Sequence, residues 1–139
     1  MKKHTQTLTV KEHGHGNCYQ ATLACMLNVE LYQVIDIALF FDIQPLGENW
    51  FTLLQSFLKQ KFNVRESFIT ELREYHLQGG VFPEKYKNIP YMLTGLSSRG
   101  VNHVVIYMNG EMIHDVHPER SGVKIDEENT SCSILESLN

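Results

Sequence analysis

The chain has no basic run or stripe, no long apolar stretch and no cysteine framework. Each absence narrows what it can do. The formal charge is −4, with 12 Lys and Arg against 16 Asp and Glu, and Lys2-Lys3 form only a short basic start. Binding to phosphate backbones needs clustered cations, so nucleic acid is not an expected partner. No apolar stretch follows those lysines, which predicts neither a signal peptide nor a membrane span. Three cysteines at irregular spacing predict free thiols in a reducing compartment, and so a cytoplasmic protein. Repeats, linkers and low-complexity segments are absent too. With 139 residues, 42% of them hydrophobic and 20% charged, the chain is expected to form a single globular domain over residues 1–139.

What is present centres on Gly14-His15-Gly16-Asn17-Cys18 and the residues after it. Asn17 is a good N-cap residue, so Cys18 is predicted at the first helical position. There a sulfur meets unpaired backbone N–H groups and the positive end of the helix dipole, and both favour the thiolate. The glycines let a substrate backbone approach that sulfur. Far downstream, residues 101–116 read as a hairpin that brings His103 in on one strand and carries Asp115 out on the other. A cysteine at a helix start with a His/Asp hairpin is the minimal set for thiol-based acyl transfer.

Taken in order, residues 5–11 alternate and are β-branched, which suggests a short edge strand. A helix is predicted over about 18–28, with Leu23, Ala24, Met26 and Leu27 on its apolar side. A second is predicted over 30–41 from Leu31, Val34, Ile35, Ala38 and Leu39, then a loop over 42–49. A third runs over 50–62, with Trp50, Phe51, Phe57 and Phe62 expected in the core. Residues 63–89 are less legible: a short strand at 64–68, a helical turn or two at 70–77, and breaks at Gly79-Gly80 and Pro83. From residue 89 the pattern is β, with strands at 90–95, in the 101–116 hairpin, at 123–125 and at 132–135. Helices first and antiparallel strands afterwards define an α+β domain.

The hairpin turn decides which face each side chain takes. A two-residue Asn109-Gly110 turn pairs Met108 with Glu111 and places His103 opposite Val116, so that Asp115 faces the other side of the sheet. A three-residue loop ending at a left-handed Gly110 pairs Tyr107 with Glu111 and puts Asp115 across from His103. Asn-Gly suits either form; a catalytic site predicts the three-residue one. In such a site His103 takes the Cys18 proton and later protonates the leaving group, while Asp115 accepts the other imidazole N–H. The Cys18 backbone N–H is the first donor to an oxyanion.

Gly-Asn-Cys followed by Ala-Thr-Leu-Ala-Cys-Met-Leu resembles the nucleophile helix of papain-like cysteine peptidases. The bacteriocin-processing branch and small phage and bacterial proteins of that type are the most similar. His103-Val104-Val105-Ile106 resembles their catalytic-histidine strand, and His114-Asp115-Val116-His117-Pro118 the segment after their hairpin. The resemblance covers both ends of the chain but not residues 42–90. It implies a papain-like fold with N-terminal helices packed on a C-terminal antiparallel sheet. It also implies Cys18 as nucleophile, His103 as base and Asp115 as its orienter. The chain departs from that family in two places. The family usually carries a Gln five or six residues before the cysteine, as an oxyanion donor, where this chain has Glu12 and His13. His13, Asn17 and Gln20 are the alternative donors. Val116 also replaces the usual proline after the aspartate.

Competing readings stand beside these. Cys25 and Cys132 read as buried core filler. His13, His15 and Cys18 form a His-x-His-x-x-Cys set that zinc could use, and His114 and His117 add another close pair, but the spacing fits no standard site, so neither metal nor cofactor is expected. Asp126-Glu127-Glu128 reads as a solvated loop. The expected function is a cysteine hydrolase cleaving an amide or peptide bond in a peptide or protein substrate. The alternatives are a glutamine deamidase or amide transferase with the same triad, and a non-catalytic, partner-binding phage or mobile-element accessory protein on the same scaffold.

Overall fold

A computed structural model describes residues 1–7, 17–36 and 50–139. Three helices and six strands occur among them: α1 Cys18–Leu27, α2 Trp50–Phe62, β1 Val64–Phe68, α3 Thr70–Gln78, β2 Tyr91–Ser97, β3 Asn102–Met108, β4 Glu111–His114, β5 Val123–Lys124 and β6 Ser131–Ser137. The strands make one antiparallel sheet in the order β1-β6-β2-β3-β4, and β5 pairs with the end of β2 beyond β6. The fold is therefore α+β, although β1 and α3 interleave helix and strand earlier than a simple helices-then-strands division.

Both faces of the sheet are covered. Met92 and Val104 pack with Leu23 and Ala24 of α1 and Leu54 and Leu58 of α2. Their strand neighbours Leu93 and Val105 point the other way and pack with Leu72 of α3, Tyr91, Cys132 and Ile134. This two-sided burial explains why the central strands read as continuous apolar runs rather than an alternation. In α2 the deepest side chains are Leu54 and Leu58; the expected aromatic core residues Trp50, Phe51, Phe57 and Phe62 are only half-buried.

α1 begins where the sequence placed it and ends in a left-handed Asn28. The N–H of Asn28 bonds the Cys25 carbonyl at 3.1 Å, and the N–H of Val29 bonds that of Ala24 at 3.0 Å. The helix expected over 30–41 does not form in its described part. Only Leu31–Gln33 make a 3-10 turn, and Val34 is extended at φ −112°, ψ 133°. The Gln20 side chain donates to the Leu31 and Val34 carbonyls at 3.3 and 2.8 Å, taking acceptors that a continuing helix would use. Residues 37–41 and the expected loop 42–49 lie outside the described residues. Residues 5–7 form no strand, though the Gln6 N–H does bond the Val116 carbonyl at 2.8 Å; residues 8–11 lie outside the described part.

The hairpin register corrects the three-residue expectation. Met108 pairs with Glu111 across a two-residue turn in which Asn109 and Gly110 are both left-handed, at φ 54° and 87°. The pairing then shifts: Tyr107 faces Met112, but Ile106 faces His114, so Ile113 is an extra residue. That one-residue bulge reverses the facing of everything after it and turns Asp115 onto the face of His103. The side chains meet, by a different route.

Candidate active site

His103 is the second residue of β3 and Asp115 follows β4 directly. Both are buried, at 3% and 1% exposure. His103 Nε2–H donates to Asp115 Oδ1 at 2.6 Å. The carboxylate is held from two further sides: the His117 N–H donates to Oδ1 at 2.9 Å and the Gly122 N–H to Oδ2 at 2.8 Å. Arg120 donates to the Asp115 backbone carbonyl and, at 2.6 Å, to Thr5 Oγ1. Asp115 thus does two things at once: it accepts from His103 and, through the His117 N–H, caps the turn before Pro118.

The half-buried Cys18 thiol is near enough to the His103 ring to act on its charge. Because Nε2 is committed to Asp115, Nδ1 is the nitrogen left to face the sulfur. Cys18 is the first residue of α1, and the helix docks on the histidine strand through Thr22, whose buried hydroxyl donates to the Val104 carbonyl at 3.4 Å. Ala21 and Cys25, on the same helix, pack against Ile106 and Val116. One small-residue face of α1 thus sets the distance between Cys18 and His103.

The electrostatics follow from these contacts. Burial disfavours a charged His103, but the hydrogen bonds to Asp115 and Cys18 and their charges overcome it and push the imidazolium up to about 9. Burial likewise opposes the Asp115 charge, yet His103 and the two backbone N–H groups pull the carboxyl down to about 2. His117 packs edge-on against His103, with centroids 5.9 Å apart, and its Nδ1 accepts the Glu119 N–H at 3.0 Å. That acceptor role requires the neutral ring, and burial and Arg99 keep its pKa below the usual histidine value.

The expected oxyanion donors are placed differently. Asn17 occupies the N-cap position, but its side chain does not cap the helix. Its Nδ2 donates to Thr7 Oγ1 at 2.9 Å and Gln20 Oε1 at 3.0 Å, while Oδ1 accepts the Thr7 N–H at 3.0 Å. Gln20 spends both amide protons on Leu31 and Val34. The two amides tie the N-terminal segment and the 31–34 segment to the start of α1. His13 and Glu12 lie outside the described residues, as does His15 of the possible zinc set. Among the described residues no three His, Cys, Asp or Glu side chains gather as metal ligands would.

Cys25 and Cys132 are core residues, at 0% and 2% exposure, and burial pushes the Cys132 thiol up to about 12. Sequence reasoning missed His117 and Gly122 as holders of the aspartate. The only available signals were the second histidine of His-Asp-Val-His-Pro and the glycine ending the Pro118–Gly122 turn. No helix among the described residues is long and apolar enough to cross a membrane. Compared with models of protein families, with characterised proteins and with solved structures, the chain matches none of them.

Proposed function

We propose that the protein is a cysteine hydrolase of papain-like architecture that cleaves an amide bond in a cytoplasmic peptide or protein substrate. The observation that carries this reading is the convergence of Cys18, from the start of α1, on a His103 already fixed by a triply held Asp115. His103 takes the Cys18 proton. The thiolate adds to the substrate carbonyl, and the charge moves to the oxygen. As the first residue of α1, Cys18 has a backbone N–H with no acceptor inside the helix, aimed with the helix dipole at that oxygen. Collapse of the adduct breaks the C–N bond, and His103 gives its proton to the departing nitrogen. Water then adds to the thioester with His103 as base, releasing the acid and restoring the thiol. Asp115 keeps the ring in the tautomer and orientation that both halves require.

The test is labelling by a panel of peptide vinyl sulfones, with peptide-amide hydrolysis and ammonia release measured in parallel. A covalent adduct on Cys18 that is lost in His103→Ala, with cleavage of peptide amides, supports the hydrolase. Ammonia release from glutamine peptides without chain cleavage would reassign the same chemistry to a deamidase. No adduct and no turnover would leave the scaffold as a partner-binding protein.

A further inference from the structure

Among the described residues, the proposed mechanism leaves one buried carboxylate unused. Glu66 lies in β1, an edge strand, yet is only 5% exposed. Its carboxylate accepts two hydroxyl protons: Ser133 of β6 donates to Oε2 at 2.5 Å, and Tyr19 of α1 donates to Oε1. The backbone of Glu66 is held as well. Gln55 of α2 accepts the Glu66 N–H at 3.1 Å and donates to its carbonyl at 2.9 Å, so a side chain takes the place of the missing neighbour strand. Edge residues are seldom buried with a carboxylate, because burial disfavours the charge. Here burial pushes the Glu66 carboxyl above its usual range, although the two hydroxyls pull the other way. A costly group is being kept at that position.

Tyr19 is the residue after Cys18, in the first turn of α1. That turn has no side-chain cap from Asn17. Tyr19 instead sits between Glu66 and Trp50, whose ring meets it edge-on with centroids 6.2 Å apart. Helix ends fray unless something holds them, and the sulfur one residue away must meet His103 at hydrogen-bond distance.

We propose, on the reading of Cys18 as the nucleophile, that Glu66 and Tyr19 are positioning residues: the carboxylate fixes the Tyr19 hydroxyl and so holds the first turn of α1 where Cys18 faces His103. The clamp ties the nucleophile to the far edge of the sheet, four strands from β4 and its aspartate in the order β1-β6-β2-β3-β4. The required property is an acceptor oxygen at Oε1, not the negative charge.

The experiment is the rate of Cys18 alkylation by iodoacetamide as a function of pH in Tyr19→Phe, Glu66→Ala, Glu66→Gln and His103→Ala, with a thermal melt of each. Tyr19→Phe removes one oxygen and keeps the ring on Trp50, so it retains the fold. Its thiol is expected to lose part of the activation that separates the parent from a free cysteine, whose pKa is about 8.5. It should then react more slowly well below that pKa and at the parent rate once fully ionised. Glu66→Ala should behave likewise. Glu66→Gln, whose amide oxygen accepts from Tyr19 while its NH2 donates to Ser133 Oγ, should restore the parent profile to within about twofold. A Tyr19→Phe profile that superimposes on the parent, while His103→Ala has lost activation, would overturn the clamp and leave the hydrolase reading intact. Glu66→Gln as impaired as Glu66→Ala would also overturn it, by making charge the operative property. A His103→Ala profile equal to the parent would remove the hydrolase reading and the clamp together.

Discussion

Replacing Asp115 by Asn tests the site at its most constrained atom. The carboxylate accepts from His103 Nε2 and the His117 N–H at Oδ1, and from the Gly122 N–H at Oδ2. Asn has one acceptor oxygen. Placed at Oδ1, it keeps the first two bonds and points an NH2 at the N–H of the buried Gly122; flipped, it points the NH2 at His103 and His117. Either way a buried donor loses its acceptor, at a cost of about 1–3 kcal/mol. The electrostatic consequence is larger. Without the charge, burial is opposed by Cys18 and the Asn amide alone, and the His103 pKa should fall from about 9. Each unit of that fall corresponds to about 1.4 kcal/mol of lost ion pairing. In the parent protein, stability from the raised His103 is fully present below about 6.5 and is lost as pH rises through about 9. Stability from the lowered Asp115 is present above 3.8 and is lost as pH falls through about 2. The two losses describe one ion pair and are not summed. The assays are NMR titration of the His103 ring and denaturant unfolding across pH. In Asp115→Asn the ring should titrate clearly below about 9 and both pH limbs should flatten. A variant in which His103 still titrates near 9 would refute this account of the pair.

Two further predictions follow from packing. A Cβ at Gly95, the residue paired with His103 across β2 and β3, would lie 2.6 Å from the Lys124 carbonyl oxygen. Gly95→Ala should therefore push β5 off the end of β2 and cost about 1–3 kcal/mol in denaturant unfolding; an unchanged midpoint would show that the strand yields freely. Cys25 and Cys132 are sealed in the core, whereas Cys18 is half-buried at the start of α1. A disulfide reagent should find one fast thiol in the native protein and all three after denaturation; two fast native thiols would contradict the burial.

Much of the site was written locally. Asn17 and Asn28 bracket α1, and the β-branched run after His103 places that residue at a strand start. The facing of Asp115 was not local in the same way. Ile113 is as good a strand residue as its neighbours, so nothing marks it as the bulge that brings Asp115 to His103. The 30–41 segment carried a helical apolar period, but the Gln20 amide, eleven to fourteen residues away, claims its carbonyls. Glu66 was one polar residue in a short strand. Its partners Tyr19 and Ser133 lie 47 and 67 residues distant, beyond the reach of any periodicity.

The central claim is that His103 activates Cys18. It is tested most directly by the pH dependence of iodoacetamide alkylation of Cys18 in the parent protein and in His103→Ala, with Cys18→Ala as the blank. The account predicts a fast thiol in the parent with an apparent pKa well below about 8.5, and a slow one near that value once the imidazole is gone. A parent thiol that reacts sluggishly, titrates as free cysteine and ignores the loss of His103 would contradict it.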